Sequence, residues 1–191
     1  SKAFKTKNLK KISNIQNKSF ELSLLLSVPA SFGLILASEE IVNALFGYGS
    51  FSKDDVLLTA GALKYFGFGV PAFALVKILS NFYFARDNTK TPFYISMFIV
   101  ILNIFISVSL FSKIGFIIIP IATSISTWIG VFIYLYLLNL KKALLLKNQL
   151  IFNFIKILVS TILMSLVLVF ALDRYANYLE YFYKYKALYL I

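Results

Sequence analysis

Long apolar runs alternate with short polar islands along this chain. Five runs stand out, at about 22–38, 56–84, 93–112, 115–139 and 151–172. An α-helix rises 1.5 Å per residue and the hydrocarbon core of a bilayer is about 30 Å thick, so apolar runs of about 17 to 25 residues read as membrane-spanning helices. The pattern predicts an all-α, polytopic membrane protein whose transmembrane bundle occupies 21–172. Hydrophobicity resumes in the closing "ALYLI", which reads as the start of a sixth span after an external, Tyr-rich segment, the two together making up 173–191. The chain opens at Ser1 without an initiator methionine, and the whole reads as a piece of a longer membrane protein.

The polar islands read as turns and interfacial segments. "NFYFARDNTKTPF", residues 81–93, gathers Arg86, Asp87, Asn88, Thr89, Lys90 and Thr91 between two apolar runs. It predicts a turn in which Thr91 caps the following helix. Pro92 suits that helix's first turn, where its missing N–H would have been unpaired anyway. Asp54 and Asp55 sit where negative charge favours the start of the second span. Residues 1–20 place Phe4, Leu9, Ile12, Ile15 and Phe20 at near-helical spacing among lysines, which predicts a basic cytoplasmic helix or linker at the interface. Six tyrosines in "RYANYLEYFYKYKALYL" read as an aromatic belt at the outer interface.

Helix breakers fall inside several runs. Pro29 and Gly33 lie in the first, Gly61, Gly67, Gly69 and Pro71 in the second, and Gly115, Pro120 and Gly130 in the fourth. Single glycines and prolines are tolerated in membrane helices, where small residues also permit close packing. The cluster "GFGVPAF" is denser, and it predicts a bend or hinge near the middle of the second span.

Composition supports the bilayer as solvent. With 60% hydrophobic and only 14% charged residues, the charges are too few to cover the surface of a water-soluble domain. The net charge of +11 is spread over loops between spans, with no aromatic-interleaved basic stripe, so nucleic acid is not an expected partner. Distribution of the cations gives an orientation. An N-terminus inside the cell puts eleven of them, including Arg86, Lys90, Lys141, Lys142 and Lys147, on the cytoplasmic side and five outside, with Lys64, Lys77 and Lys156 within spans. The positive-inside rule favours that topology, and it makes Arg86, Asp87 and Lys90 a cytoplasmic loop whose cations face the anionic leaflet.

Candidate catalytic chemistry is sparse. The absence of cysteine and histidine excludes disulfides, thiol chemistry, Cys/His metal sites and a Ser/His/Asp triad within these residues. Six of the eight acids lie in loops assigned outside, and no span carries a mid-membrane carboxylate. There is no aspartate-rich metal motif and no phosphate-binding glycine loop. An enzyme has little to stand on here, and no cofactor or metal is expected.

"SVPASFGLILASEEIVNALFGYGSFSKDDVLLTAGALKYFGFGVPAFALVKILSNFYFARDNTKTPFYIS" resembles the later helices of the MurJ/MviN lipid II flippase family, within the multidrug/oligosaccharidyl-lipid/polysaccharide exporter superfamily. The similarity is carried by "VP" followed by "GL", by "LF..G.F", by "G.PAFALVK.L" and by "FYFARDNTKTP", over about residues 20–96. Beyond residue 96 it rests on helix number and spacing. The resemblance implies fourteen transmembrane helices in two lobes around a central cavity, with alternating access carrying the undecaprenyl-diphosphate-linked peptidoglycan precursor from inner to outer leaflet. The five spans then correspond to helices nine to thirteen, with the last cut at the start of fourteen, and 151–172 walls a groove for the lipid tail. Implied partners are lipid II, membrane lipids and the remainder of the same polypeptide, in the bacterial cytoplasmic (inner) membrane. Two other readings stay open: an exporter of polysaccharide-linked lipids or drugs from the same superfamily, and a non-transporting membrane scaffold or anchor.

Lys64 and Lys77 are the expected substrate-path residues. They lie thirteen residues apart on one span, about 20 Å along a helix, so both cannot reach an interface without snorkelling. Thirteen steps also turn the helix by about 220°, so the two need not share a face. Lys77 follows the expected hinge formed by Gly67, Gly69 and Pro71, with Pro29 as a second breaker in the neighbouring span, and it lies in the "FALVK" stretch that carries the resemblance. Its expected role is that of a point charge attracting a diphosphate.

Overall fold

A computed structural model of the chain describes residues 9–186, and side chains from Lys10 to Arg174. Lys2, Lys5 and Lys7, the tyrosine side chains of the tail and the closing "ALYLI" lie outside what is described. The elements are helices α1 (Leu9–Leu36), α2 (Ser38–Phe46), α3 (Lys53–Phe84), α4 (Lys90–Ile114), a 3-10 turn (Gly115–Ile117), α5 (Ile118–Leu140) and α6 (Asn148–Lys186). No strand interrupts them among the described residues.

Four uninterrupted helical stretches are long and apolar enough to cross a membrane, and the third of these, Lys90–Leu140, has 51 residues. Laid straight it would extend about 76 Å, well over twice the hydrocarbon thickness. It folds instead into the hairpin of α4 and α5, packed on each other. The reversal falls at Gly115, whose φ of 75° and ψ of −158° suit a residue without Cβ. Five helices of spanning length result, as the hydrophobic runs predict.

Local chemistry sets the helix ends. Ser52 and Asp55 form a capping box at the start of α3, the Ser52 Oγ accepting from the Asp55 N–H at 3.2 Å and the Asp55 carboxylate accepting from the Ser52 N–H at 2.9 Å. Thr91 does not cap α4. That helix begins one residue earlier, at Lys90, and the Asn88 carboxamide accepts the Thr91 N–H at 3.1 Å while donating to its hydroxyl at 3.0 Å. Asn88 lies three residues upstream, the distance from which a short side chain reaches an unpaired first-turn N–H. Pro92 lies in the first turn, as expected. The basic segment and the first span form one continuous helix from Leu9 to Leu36. Helix α6 likewise continues without interruption through Lys186, 39 residues or about 58 Å.

Packing follows an order different from the chain's. Helix α3 lies between α1 and α5, α4 packs on the far side of α5, and α6 returns to pack on α1. The spatial order is therefore α6, α1, α3, α5, α4. Small residues bring these helices together, as they must where lipid tails are as apolar as the side chains themselves. A Cβ on Gly67 would come within 2.9 Å of Ile35 in α1, and a Cβ on Gly69 within 2.7 Å of the Ser124 hydroxyl in α5. Two helical residues are separated by about 200°, so this pair serves opposite neighbours. Gly130 performs the same service between α5 and α4, where a Cβ would overlap Ile99. The main buried cluster joins Phe20 of α1, Leu79 and Phe82 of α3, Tyr134 and Leu138 of α5 and Leu150 of α6, and so runs across the row. The outer faces of α4 and α6 stay apolar and uncovered, with Val108 72% and Phe170 70% exposed.

Candidate functional site

The breaker segment of α3 is continuous helix, held from both sides by side-chain donors. Pro71 has no N–H, so the carbonyl four residues before it, that of Gly67, loses its helical partner. The Ser31 hydroxyl of α1 donates to that carbonyl at 2.7 Å in a buried position. On the opposite side, Ser124 Oγ donates to the Tyr65 carbonyl at 2.7 Å and Trp128 Nε1 to the Phe68 carbonyl at 3.0 Å, both from α5. Gly67, Gly69 and Pro71 are all buried. They combine close approach with backbone carbonyls that neighbouring helices satisfy. Pro29 lies within continuous α1, two residues before Ser31.

Lys64 and Lys77 are both exposed, on different faces of α3. Lys77 shares its side with Phe66, Phe73 and Phe84, which lie eleven and four residues before it and seven after, all exposed. Lys64 shares its side with Leu57 and Phe68, also exposed. Neither ammonium is hydrogen-bonded or ion-paired among the described residues. The two lysines therefore do not converge on one site.

Arg86 departs from the role of a cation turned to the leaflet. Its guanidinium turns inward, donating to the Phe82 carbonyl at 3.0 Å and to the Ala143 carbonyl at 2.7 Å. It thereby places positive charge at the C-terminal end of α3, where the helix dipole favours it, and ties that end to the segment after α5. Partial burial lowers its pKa from the ordinary arginine value, yet a guanidinium stays charged in proteins. Asp87 and Lys90 are exposed, as a solvated loop requires. Asp87 occupies the left-handed region at φ 56°, where the Asp87 and Asn88 N–H groups return to the Phe84 and Tyr83 carbonyls. Lys142 ends α5 the same way at φ 47°, with the Lys142 and Ala143 N–H groups returning to Asn139 and Leu138.

A polar seam near these turns is absent from the sequence reading. Gln16, only 1% exposed, donates to the Ala143 carbonyl at 3.0 Å and accepts from the Leu145 N–H at 3.0 Å. Asn17 donates to the Leu145 carbonyl at 2.9 Å and accepts from the Lys147 N–H at 2.9 Å, and Ser13 donates to the same Leu145 carbonyl at 2.7 Å. Two side-chain amides thus read the backbone of 143–147 as a neighbouring strand would. The available signal was "SNIQN", four amides and hydroxyls in five positions of a helix, more than an interfacial helix needs.

Beside the Arg86 turn a cleft of about 580 Å³ opens between the C-terminal half of α3 and the first turns of α4. Ser80, Phe84, Lys90, Phe93 and Ser96 line it, with buried Tyr134 of α5 at its floor. Among the described residues no group of three or more metal-ligating side chains gathers anywhere.

Comparison with known proteins covers nearly all of the chain. Residues 1–189 match the family described as "Lipid II flippase MurJ". A probable lipid II flippase MurJ of Rickettsia prowazekii (strain Madrid E) is 35% identical over 180 residues, covering 94% of this chain and 35% of that protein. The probable lipid II flippase MurJ of Aquifex aeolicus (strain VF5) is 37% identical over 123 residues, 62% of this chain and 24% of the relative. Among solved structures, one titled "Lipid II flippase MurJ, inward closed conformation" superposes with a TM-score of 0.74 at 30% identity, over 86% of this chain and 34% of that one. The chain spans about a quarter to a third of the length of the curated relatives it matches.

Proposed function

The chain belongs to the lipid II flippase MurJ family, and from that premise we propose that it forms part of the C-terminal lobe of a transporter that moves the undecaprenyl-diphosphate-linked peptidoglycan precursor from the inner to the outer leaflet. The observation that carries the proposal is the match over residues 1–189 together with the fold shared at a TM-score of 0.74. It is a multi-pass membrane protein, and its proposed location is the bacterial cytoplasmic membrane.

The physical task needs no covalent chemistry. An anionic diphosphate head cannot cross hydrocarbon unaided, while a polyprenyl tail is at home there. A flippase supplies the head with a polar, cationic path and leaves the tail in lipid, exchanging inward and outward openings. In this scheme α1, α3, α4, α5 and α6 are helices nine to thirteen, the 85–91 turn faces the cytoplasm, and α6 walls the groove for the tail. The apolar, uncovered face of α6 is compatible with that role. We assign Lys77 to the path of the head group as an electrostatic guide and give Lys64, on a different face, the lesser part.

Depletion of the natural full-length protein tests the activity. Lipid II should then accumulate in the inner leaflet, and its labelling from outside the cell should fall; unchanged outer-leaflet labelling after depletion would refute the proposal.

A further inference from the structure

We propose that the cleft between α3 and α4 holds the phosphate of an anionic lipid at the cytoplasmic surface of the membrane. The inference rests on the orientation above, which puts Lys90 on that surface, and it concerns a site apart from the path assigned to the head group.

The lining has the chemistry of a headgroup site. It offers one ammonium, Lys90, and the hydroxyls of Ser80, Thr89, Tyr94 and Ser96, and none of the residues that line it is acidic. Asp87 is the one acid of the 81–93 island and lies in the adjoining turn, not in the cleft. A phosphate brought to Lys90 therefore meets a cation and the hydroxyls of Thr89, Tyr94 and Ser96, while that of Ser80 donates to the Lys77 carbonyl at 2.9 Å.

The shape suits a lipid better than a free ion. The rim is aromatic and open, with Phe93 64%, Tyr94 60% and Phe84 47% exposed, so acyl or prenyl chains can lie against rings while the head occupies the cleft. A volume of about 580 Å³ is several times that of a phosphate and leaves room for the first methylenes.

Two lipids share this chemistry, a bulk anionic phospholipid and a polyprenyl diphosphate. Native mass spectrometry of the delipidated full-length protein, titrated with phosphatidylglycerol, undecaprenyl diphosphate, phosphatidylcholine or inorganic diphosphate, separates them. At least one anionic lipid should be retained several-fold over phosphatidylcholine, and the one retained more strongly identifies the source. Lys90→Gln should lower that retention about fivefold, the worth of one lysine at a membrane surface. Lys90→Arg should keep most of it, and Lys113→Gln, at the opposite end of α4, should leave it unchanged. Retention of phosphatidylcholine equal to that of the anionic lipids, an unaltered Lys90→Gln protein, or displacement by inorganic diphosphate at equal concentration would each overturn the site. Because retention is read without transport, the two proposals fail separately: a protein that retains anionic lipid through Lys90 and moves no lipid II overturns only the flippase reading.

Discussion

The Ser31 hydroxyl donates at 2.7 Å to the Gly67 carbonyl, the one acceptor in α3 that Pro71 strips of its helical donor. A buried acceptor left without a partner costs about 1–3 kcal/mol. Ser31→Ala should destabilise the protein by about that amount. In a Pro71→Ala background the restored N–H at position 71 supplies the missing donor, so the same Ser31→Ala change should cost much less. Thermal unfolding of the four proteins in detergent measures the coupling, and additive losses would disprove it.

Gly67→Leu and Gly69→Leu should impair folding and transport, because even a Cβ meets Ile35 on one side and Ser124 on the other within 3 Å. Val100, 56% exposed on α4, accepts an apolar swap such as Val100→Leu without loss. Equal lipid II translocation by all three at matched expression would remove both the packing and the hinge roles of the cluster.

Gln16→Leu should loosen 143–147 by removing the donor to Ala143 and the acceptor for Leu145 together. About 1–3 kcal/mol of local stability is at stake. Protease cleavage or hydrogen exchange at residues 143–147 should accelerate by one to two orders of magnitude, while exchange in the α4–α5 hairpin stays as it was. Uniform acceleration throughout the chain would contradict a local seam.

Orientation is testable because the chain has no cysteine of its own. A single cysteine at Asn88 should be closed to an impermeant reagent in intact cells and reactive once the cytoplasmic face is opened, while one at Tyr48 should label from outside. The reverse pattern would invert the proposed topology.

On the proposed role of Lys77 as an electrostatic guide, Lys77→Ala should cut lipid II flipping strongly, Lys77→Arg should retain part of it, and Lys64→Ala should matter less. A Lys77→Ala protein that inserts normally and translocates at the parental rate would leave that ammonium with interfacial anchoring alone.

Periodicity and helix length made the spans legible in advance. Runs of apolar residues can be matched to bilayer thickness, and a Ser52–Asp55 box or a Pro92 first turn depends on residues close in sequence. Helical rotation alone left Lys64 and Lys77 free to take different faces. The rest depended on distant partners. "FARDN" reads as a solvated loop because nothing local says that Arg86 will find the carbonyl of Ala143, 57 residues away. The breakers Gly67 and Gly69 were recognisable, but the helices they would admit were not. Nor does the chain announce that α6 leaves its sequence neighbour α5 to pack on α1.

That displaced packing imposes an order on biosynthesis. Gln16 and Asn17 emerge from the ribosome long before the backbone they bind, and the Asn17 contact with Lys147 spans 130 residues. At about 5–20 residues per second the wait is on the order of ten seconds, during which α3, α4 and α5 are all made. Through that interval the amides of α1 are left to water or lipid headgroups, and they are sealed only when 143–147 arrives. The seam therefore closes late, just ahead of the Asn153–Glu21 hydrogen bond that also joins α6 to α1, and a chain stopped short of Lys147 cannot complete it.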